Sequence, residues 1–170
     1  LADLAKREGD AAALASGYET CSHELFTRPF GAFCCVIIDP SADRVLIAID
    51  RLGQHSMYYH TEAGTLSFGS FAAGALLCSD TEAQLLHQGI YNYVYFHMVP
   101  SPGSVYRALN KLPGAHFLDY QGGTSRLVNY WCPRFSDSAD NQSQESSSRQ
   151  LRALLKSSVQ RCLPASGKVG

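Results

Sequence analysis

The residues able to do chemistry are the neighbours Asp50 and Arg51, six cysteines and six histidines. Asp50 and Arg51 lie in the stretch Ile49-Asp50-Arg51-Leu52-Gly53-Gln54-His55-Ser56-Met57-Tyr58-Tyr59, with apolar hairpins before and after it. Adjacent residues on a strand point to opposite faces. The two charges are therefore not partners, and each needs a partner elsewhere if buried. Gly53 supplies a position free to take positive φ. Tyr58 and Tyr59 resume a strand with side chains suited to a pleated, half-buried surface. On spacing alone this is a strand–turn–strand corner.

The other reactive residues show no constellation. Cys21, Cys34, Cys35, Cys78, Cys132 and Cys162 contain no Cys-x-x-Cys and no finger-like Cys/His spacing. Cys34 and Cys35 sit in an apolar strand, where free cysteine behaves as a small hydrophobe. Buried, reduced thiols are expected, as suits a cytoplasmic protein. His55 and His60 are the nearest pair of histidines and share neither a helix face nor a strand face. No metal is assigned. No Gly-x-Ser-x-Gly elbow places a nucleophile, and no Gly-x-x-x-x-Gly-Lys-Ser/Thr loop cradles a phosphate.

The composition is 45% hydrophobic and 17% charged, with a formal net charge of -1. That describes a globular chain and gives no electrostatic ground for nucleic acid or an anionic membrane as partner. No apolar run approaches the roughly 20 residues of a membrane span. No signal peptide is visible at the start of the chain.

Along the chain, Leu1, Leu4 and Ala5 have helical spacing and Gly9 is a stop. An alanine-rich turn and a polar approach from Gly17 to Pro29 are expected next. Residues 32–38 are apolar on both alternating faces, and 44–49 return as a second such strand, so both must be covered on two sides. Strands at Met57–His60 and Thr65–Phe68 flank a turn at Thr61–Gly64. Phe71–Leu77 reads as a short helix. Ser79-Asp80-Thr81-Glu82 reads as a capping box opening a helix that carries Ala83, Leu86 and Ile90. Tyr91, Tyr93, Tyr95 and Phe96 form an aromatic cluster without basic neighbours, which predicts packing rather than base stacking. Phe117–Tyr120 and Arg126–Tyr130 flank a hairpin turn. Residues 136–148 are Ser-rich and read as a linker. Leu151, Leu154, Leu155, Val159 and Cys162 then form a helical stripe. The fold class is α+β: an antiparallel two-sheet sandwich flanked by helices.

The Asp-Arg-x-Gly and paired-tyrosine pattern resembles the Arg-Asp-Arg-Leu-Gly-x-x-Pro-Leu-Tyr-Tyr stretch of glutamine-dependent asparagine synthetases, in their N-terminal glutaminase domain. Phe30–Asp39 resembles that family's Gly-x-Phe-Ala-Phe-x-Ile-x-Asp strand. Pro100–Tyr106 and Lys111–His116 resemble its Pro-Ser-Pro-x-Thr-Ile and Lys-Leu-Pro-Pro-Gly-His, and Tyr130-Trp131 its closing Tyr-Trp. The resemblance implies that residues 1–135 are the C-terminal part of an Ntn-hydrolase-like glutaminase domain, 136–148 a linker, and 149–170 the first helix of an ATP-pyrophosphatase synthetase domain. It makes Asp50, Arg51, Gly53, Tyr58 and Tyr59 structural motif residues and leaves this chain without catalytic residues of its own. Position 1 is Leu1; the family's nucleophilic cysteine, substrate-clamping arginine and oxyanion donors are expected upstream. Its Ser-Gly-Gly-x-Asp-Ser loop is expected just after a strand beginning at Lys168-Val169-Gly170.

The parent would then adenylate a carboxylate, aspartate in the family, with ATP and Mg²⁺, and capture it with ammonia from glutamine. Partners would be the rest of the same protein and small-molecule substrates, with a homodimer possible, and the location cytoplasmic. Val36, Ile38, Leu46 and Ala48 are the apolar residues available to wall an ammonia route. Two departures stand out: Ser56 replaces the family's proline, and Ser70-Phe71 replaces Ser-Glu, removing a carboxylate. Alternatives are a degenerate, non-catalytic glutaminase-like scaffold, or a related synthetase of the β-lactam or lasso-peptide cyclase type.

Overall fold

A computed structural model describes residues 2–28, 31–135 and 143–163. The chain divides into two units, 1–132 and 133–170. In the first, helices α1 (Ala2–Glu8) and α2 (Asp10–Cys21) precede a 3₁₀ segment at Ser22–Thr27. Strands β1 (Cys34–Asp39), β2 (Arg44–Ile49), β3 (Tyr58–Glu62) and β4 (Thr65–Gly69) follow. Then come α3 (Ala72–Leu77), α4 (His87–Phe96), β5 (Asn110–Lys111), β6 (His116–Gln121) and β7 (Thr124–Asn129). All strand pairings are antiparallel, in one sheet of order β1-β2-β6-β7 and another of order β4-β3-β5.

The double apolarity of β2 explains the layering. Ile47 and Ile49 pack with Leu118, Met57, Tyr59 and Leu112 between the two sheets. Leu46 and Ala48, on the opposite face, pack with Phe117, Leu25 and Phe26 beneath α2 and the 3₁₀ segment. On the far side of the second sheet, Ala75 and Leu76 of α3 close over Leu109 and Tyr58. The result is helix, sheet, sheet, helix, the α+β sandwich expected from strands with no polar face.

The stretch expected as an alanine-rich turn and polar approach is instead α2 and the 3₁₀ segment. Alanine is the best helix former, and Ala13, Leu14, Gly17 and Tyr18 repeat at three-to-four spacing toward the sheet. Tyr18 also donates to Asp39 Oδ2 at 2.9 Å, tying the helix to the β1–β2 corner. Arg44 and Asp119 join β2 to β6 through two 2.8 Å bonds on the same helix-covered face.

The expected capping box does not open a helix. Ser79 donates both its N–H and its hydroxyl to Leu76 O, so it ends α3. Residues 84–86 run extended: Leu86 N–H donates to Val105 O and Arg107 N–H to Gln84 O, with Leu85 bridged to Tyr106. These pairings hold the backbone out of a helix until His87.

In the second unit, α5 spans Gln144–Cys162 and Ser143 caps it by accepting from Ser146 N–H. The helix thus begins inside the stretch expected as linker, because a serine at its start satisfies an orphan N–H. Residues 136–142 of that stretch, and the strand expected at Lys168–Gly170, lie outside the described residues. The stripe of Leu151, Leu154, Leu155 and Val159 is exposed. Among the described residues, no helix is long and apolar enough to cross a membrane.

Candidate functional site

Asp50 follows the last residue of β2 and is only 1% exposed. A buried carboxylate must be hydrogen-bonded, and here the chain's own backbone does it. Oδ1 accepts from Leu52 N–H at 3.0 Å and Gln54 N–H at 3.2 Å. Oδ2 accepts from Gln54 N–H at 3.1 Å and His55 N–H at 3.4 Å. Burial pushes the carboxyl toward its neutral form, but the N–H donors of Gln54, Leu52 and His55 outweigh it and hold Asp50 below the usual carboxylate range. Its main chain is equally committed: N–H to Phe33 O at 2.9 Å, and C=O accepting from Gly53 N–H at 3.1 Å and Ala115 N–H at 3.0 Å.

Arg51 points elsewhere, as strand parity requires. Its Nη2 donates to Thr27 O at 3.0 Å, and its guanidinium carbon lies 5.4 Å from the Trp131 ring centroid, within cation–π range.

Two glycines let the corner close. Gly53 has φ +65°, and a Cβ there would lie 3.3 Å from Gly114 Cα. A Cβ on Gly114 would come within 3.0 Å of Gly53 N and 3.1 Å of Arg51 O. The Lys-Leu-Pro-Gly-Ala-His segment is thereby pressed onto the Asp50 corner. Tyr130 completes it, donating its hydroxyl to Ile49 O at 2.6 Å and its N–H to Ala115 O at 2.9 Å. Burial first, then the Asp50 charge, pushes the Tyr130 phenol up to about 12.

The structure thus brings Asp50, Arg51 and Gly53 together with Gly114, Ala115, Tyr130 and Trp131, segments more than sixty residues apart in sequence. Tyr59 is buried between the sheets, where burial raises its phenol, and Tyr58 faces α3. They support the corner from the strand after it. The role of Gly114 and Ala115 was missed from sequence, although the Leu-Pro-Gly punctuation marked a turn there.

The four residues expected to wall a route do not assemble. Val36 is registered against Ile47, whose side faces the second sheet, whereas Leu46 and Ala48 face the helices. Ile38 shares the Val36 face but is 64% exposed. Strand parity puts the two pairs on opposite sides of one sheet, so they form no common wall.

Nor are the thiols buried as expected. Cys34, Cys78, Cys132 and Cys162 are exposed, and Cys21 and Cys35 are half-buried, all free. β1 is an edge strand, so its cysteines are covered on one flank only. Burial pushes the Cys35 thiol up to about 12, and burial with the Asp50 charge raises Cys34. Neither is activated as a nucleophile. Both line a cavity of about 720 Å³ with Leu14, Phe33, Arg28 and His55. Among the described residues, no group of three or more His, Cys, Asp or Glu could hold a metal ion.

The sequence model of the glutamine amidotransferase domain family matches residues 3–131, spanning α1 to the end of the corner. The chain belongs to this family. Among curated proteins it is similar to ones from Mycobacterium bovis and Mycobacterium tuberculosis that carry the provisional name asparagine synthetase, glutamine-hydrolyzing. Each is 25% identical over 171 aligned positions, covering 96% of this chain and 26% of the relative. The chain spans about a quarter of the length of these relatives.

Proposed function

We propose that this chain is part of a glutamine-dependent synthetase of the asparagine synthetase type. It would supply the C-terminal part of the glutaminase domain and the opening helix of the synthetase domain. The observation that carries this reading is the reach of the similarity. It covers 96% of the chain, so it continues past residue 131, where the glutaminase-type family match ends, into the segment holding α5. The combination of the two segments, and not the domain alone, is shared with the relatives.

In this reading the parent forms an amide from aspartate and ammonia, with ammonia drawn from glutamine, in the cytoplasm. ATP and Mg²⁺ would serve the synthetase domain. The residues described here offer no set fitted to either, so no step is assigned to them. The contribution of this chain is positional. The Asp50 carboxylate freezes the turn that joins β2 to β3, and so fixes how the two sheets meet. Tyr130 and Ala115 lock the end of the domain onto that turn.

The test is asparagine formation by the full-length protein from aspartate and ATP, supplied with either glutamine or ammonium. Asparagine from both sources is the expected result. No asparagine from either overturns the reading. A second reading, a related synthetase with a glutaminase-like domain that does not use glutamine, is favoured by Phe71, which replaces a family carboxylate and stands exposed at the start of α3. It predicts ATP cleavage with another carboxylate and no ammonia release from glutamine.

A further inference from the structure

The segment Ser79-Asp80-Thr81-Glu82, which opens no helix, is pinned to the sheet behind it. Tyr58, His60 and Glu62 share one face of β3, the face on which α3 packs. On β4 the residue registered against His60 is the buried Ser67, whose hydroxyl donates to Cys78 O at 2.8 Å. His60 holds the same outgoing chain three residues further on. Its Nε2 lies 2.9 Å from Thr81 Oγ1 and 3.2 Å from Glu62 Oε2, and Thr81 Oγ1 lies 2.9 Å from Glu62 Oε2. Its Nδ1 is 2.8 Å from Ala108 O. The His60 side chain is 12% exposed and that of Glu62 65%.

The two protonation states of this ring differ in how many contacts hold a proton. A carbonyl oxygen only accepts, so Nδ1 carries a proton in both states. The other three atoms, Nε2, Oγ1 and Oε2, form a triangle. With the ring neutral, Nε2 is an acceptor. The threonine hydroxyl then has one proton for two acceptors, and Nε2 meets the carboxylate lone pair to lone pair. With the ring charged, Nε2–H points between Glu62 and the Thr81 oxygen, the hydroxyl donates on to Glu62, and each contact holds a proton.

We propose that His60, Thr81 and Glu62 form a proton-dependent latch, which fastens the connection between α3 and α4 to β3 when the imidazole is charged and releases it when the imidazole is neutral. The latch grips both sides of the pairing that leads into α4. Thr81 precedes residues 84–86, and Ala108 follows Val105 and Arg107, which exchange bonds with Leu86 and Gln84 at 2.8 and 2.9 Å. Thr81 first, then His60, holds the Glu62 carboxyl below its usual range, so the carboxylate is ionised where a histidine changes charge, between pH 5 and 8. The fastening is lost as pH rises through that range, and at the acid end as Glu62 takes up a proton. The other titratable groups of the segments packed around the ring are Cys78, Asp80, Glu82, Tyr106, Arg107 and Lys111; α3 and β4 bring none. All six are of types whose ordinary values lie outside pH 5–8. The latch is independent of the synthetase reading.

The experiment is hydrogen exchange on the whole 170-residue chain, read by peptide mass spectrometry at about pH 5.5 and about pH 7.5, either side of the usual histidine value. Each rate is divided by the intrinsic rate at that pH. Protection over 79–86 should fall about three- to tenfold at the higher pH, the worth of one hydrogen bond, while 44–49 and 116–121 keep theirs. His60→Gln should abolish the difference. Glu62→Gln, at an exposed position, serves if His60→Gln misfolds. Its NH₂ supplies the proton that the neutral ring lacks, so the segment should stay protected at both pH values. Protection in the parent that is equal at the two values, or greater at the higher, overturns the proposal. So does a difference that survives His60→Gln, or one that Glu62→Gln leaves unchanged.

Discussion

Replacing Asp50 by Asn keeps the side-chain shape and removes half of its acceptor capacity. An amide oxygen can occupy the Oδ1 position and still accept from Leu52 and Gln54 N–H, at 3.0 and 3.2 Å in the carboxylate. Its NH₂ then faces the N–H of His55, and the second bond from Gln54 is lost. Hydrogen bonds to a charged group contribute about 1.5–3 kcal/mol and neutral ones about 0.5–1.5, so two bonds weakened from the first class to the second cost roughly 2 kcal/mol. One part-buried N–H, that of His55, left facing another donor adds about 1–2 kcal/mol. A total near 3–4 kcal/mol lowers the folding constant by a few hundredfold, at about 1.4 kcal/mol per factor of ten.

The assay is urea unfolding of Asp50→Asn beside Asp43→Asn, the same chemical change at an exposed turn position that asparagine tolerates, expected within about 0.5 kcal/mol of the parent. The pH dependence gives a second readout. The Asp50 carboxyl titrates lower folded than unfolded. Its contribution is therefore complete above the unfolded value, about 3.9, and is lost as pH falls through the folded one. The stability gap between parent and Asp50→Asn should be constant from neutral pH down to about 5 and close below about 4. A gap no larger than that of the Asp43 control, or one that persists at the acid end, would refute the account of a carboxylate held by backbone N–H groups.

Gly89→Ala should strip α4 from its unit, because the new Cβ meets backbone and not a movable side chain; hydrogen exchange should show loss of protection across 87–96 with the sheets unaffected. Tyr130→Phe removes the 2.6 Å bond to Ile49 O and should cost about 1 kcal/mol in urea unfolding. Arg44→Lys leaves one of the two bonds to Asp119 and should cost about 1 kcal/mol at neutral pH. That cost should vanish in acid, because Arg44 holds the Asp119 carboxyl below its usual range and the pair's contribution is lost as pH falls through it. Alkylation at mildly alkaline pH, followed by peptide mass spectrometry, should modify exposed Cys78 and Cys132 well before Cys35, whose thiol sits at about 12.

The sandwich was legible because parity is a strong signal. A strand apolar on both faces has to be covered twice, and 44–49 said so without any structure. Helix α2 was hidden by composition: Gly9 and Gly17 read as breaks, yet Gly17 is a contact point and not a break, buried where the helix meets its neighbours. The false capping box shows the converse. Four residues of the right type carry no information about which helix end they serve, and Ser79 spends both its donors on the helix behind it. The thiols were misplaced because nothing in Cys34-Cys35-Val36-Ile37-Ile38 distinguishes an edge strand from a central one. That depends on which strands pair, a property of the whole sheet.

The same limit explains the two misjudged apolar sets. Val36, Ile38, Leu46 and Ala48 were grouped by character, while the register that separates them into opposite faces comes from the hairpin at Asp39–Asp43. Aromatic residues usually pack, which predicts Tyr91, Tyr93, Tyr95 and Phe96 inward, yet all four are exposed, because packing depends on what the helix docks against. A helix buries only the side that has a partner in its own chain, and Gly89 supplies that partner contact by its smallness. The line of closest approach runs through the residue with no side chain, and Tyr91, Val94 and Tyr95 lie on the opposite side of the helix. Seen this way the exposure of the rings follows from the docking of the helix, and the corner at Asp50 follows the opposite logic: there the chain folds its own N–H groups around a charge. The carboxylate at the corner is met by N–H groups of its own chain, whereas α4 meets its unit through Gly89 and leaves Tyr91, Val94 and Tyr95 exposed.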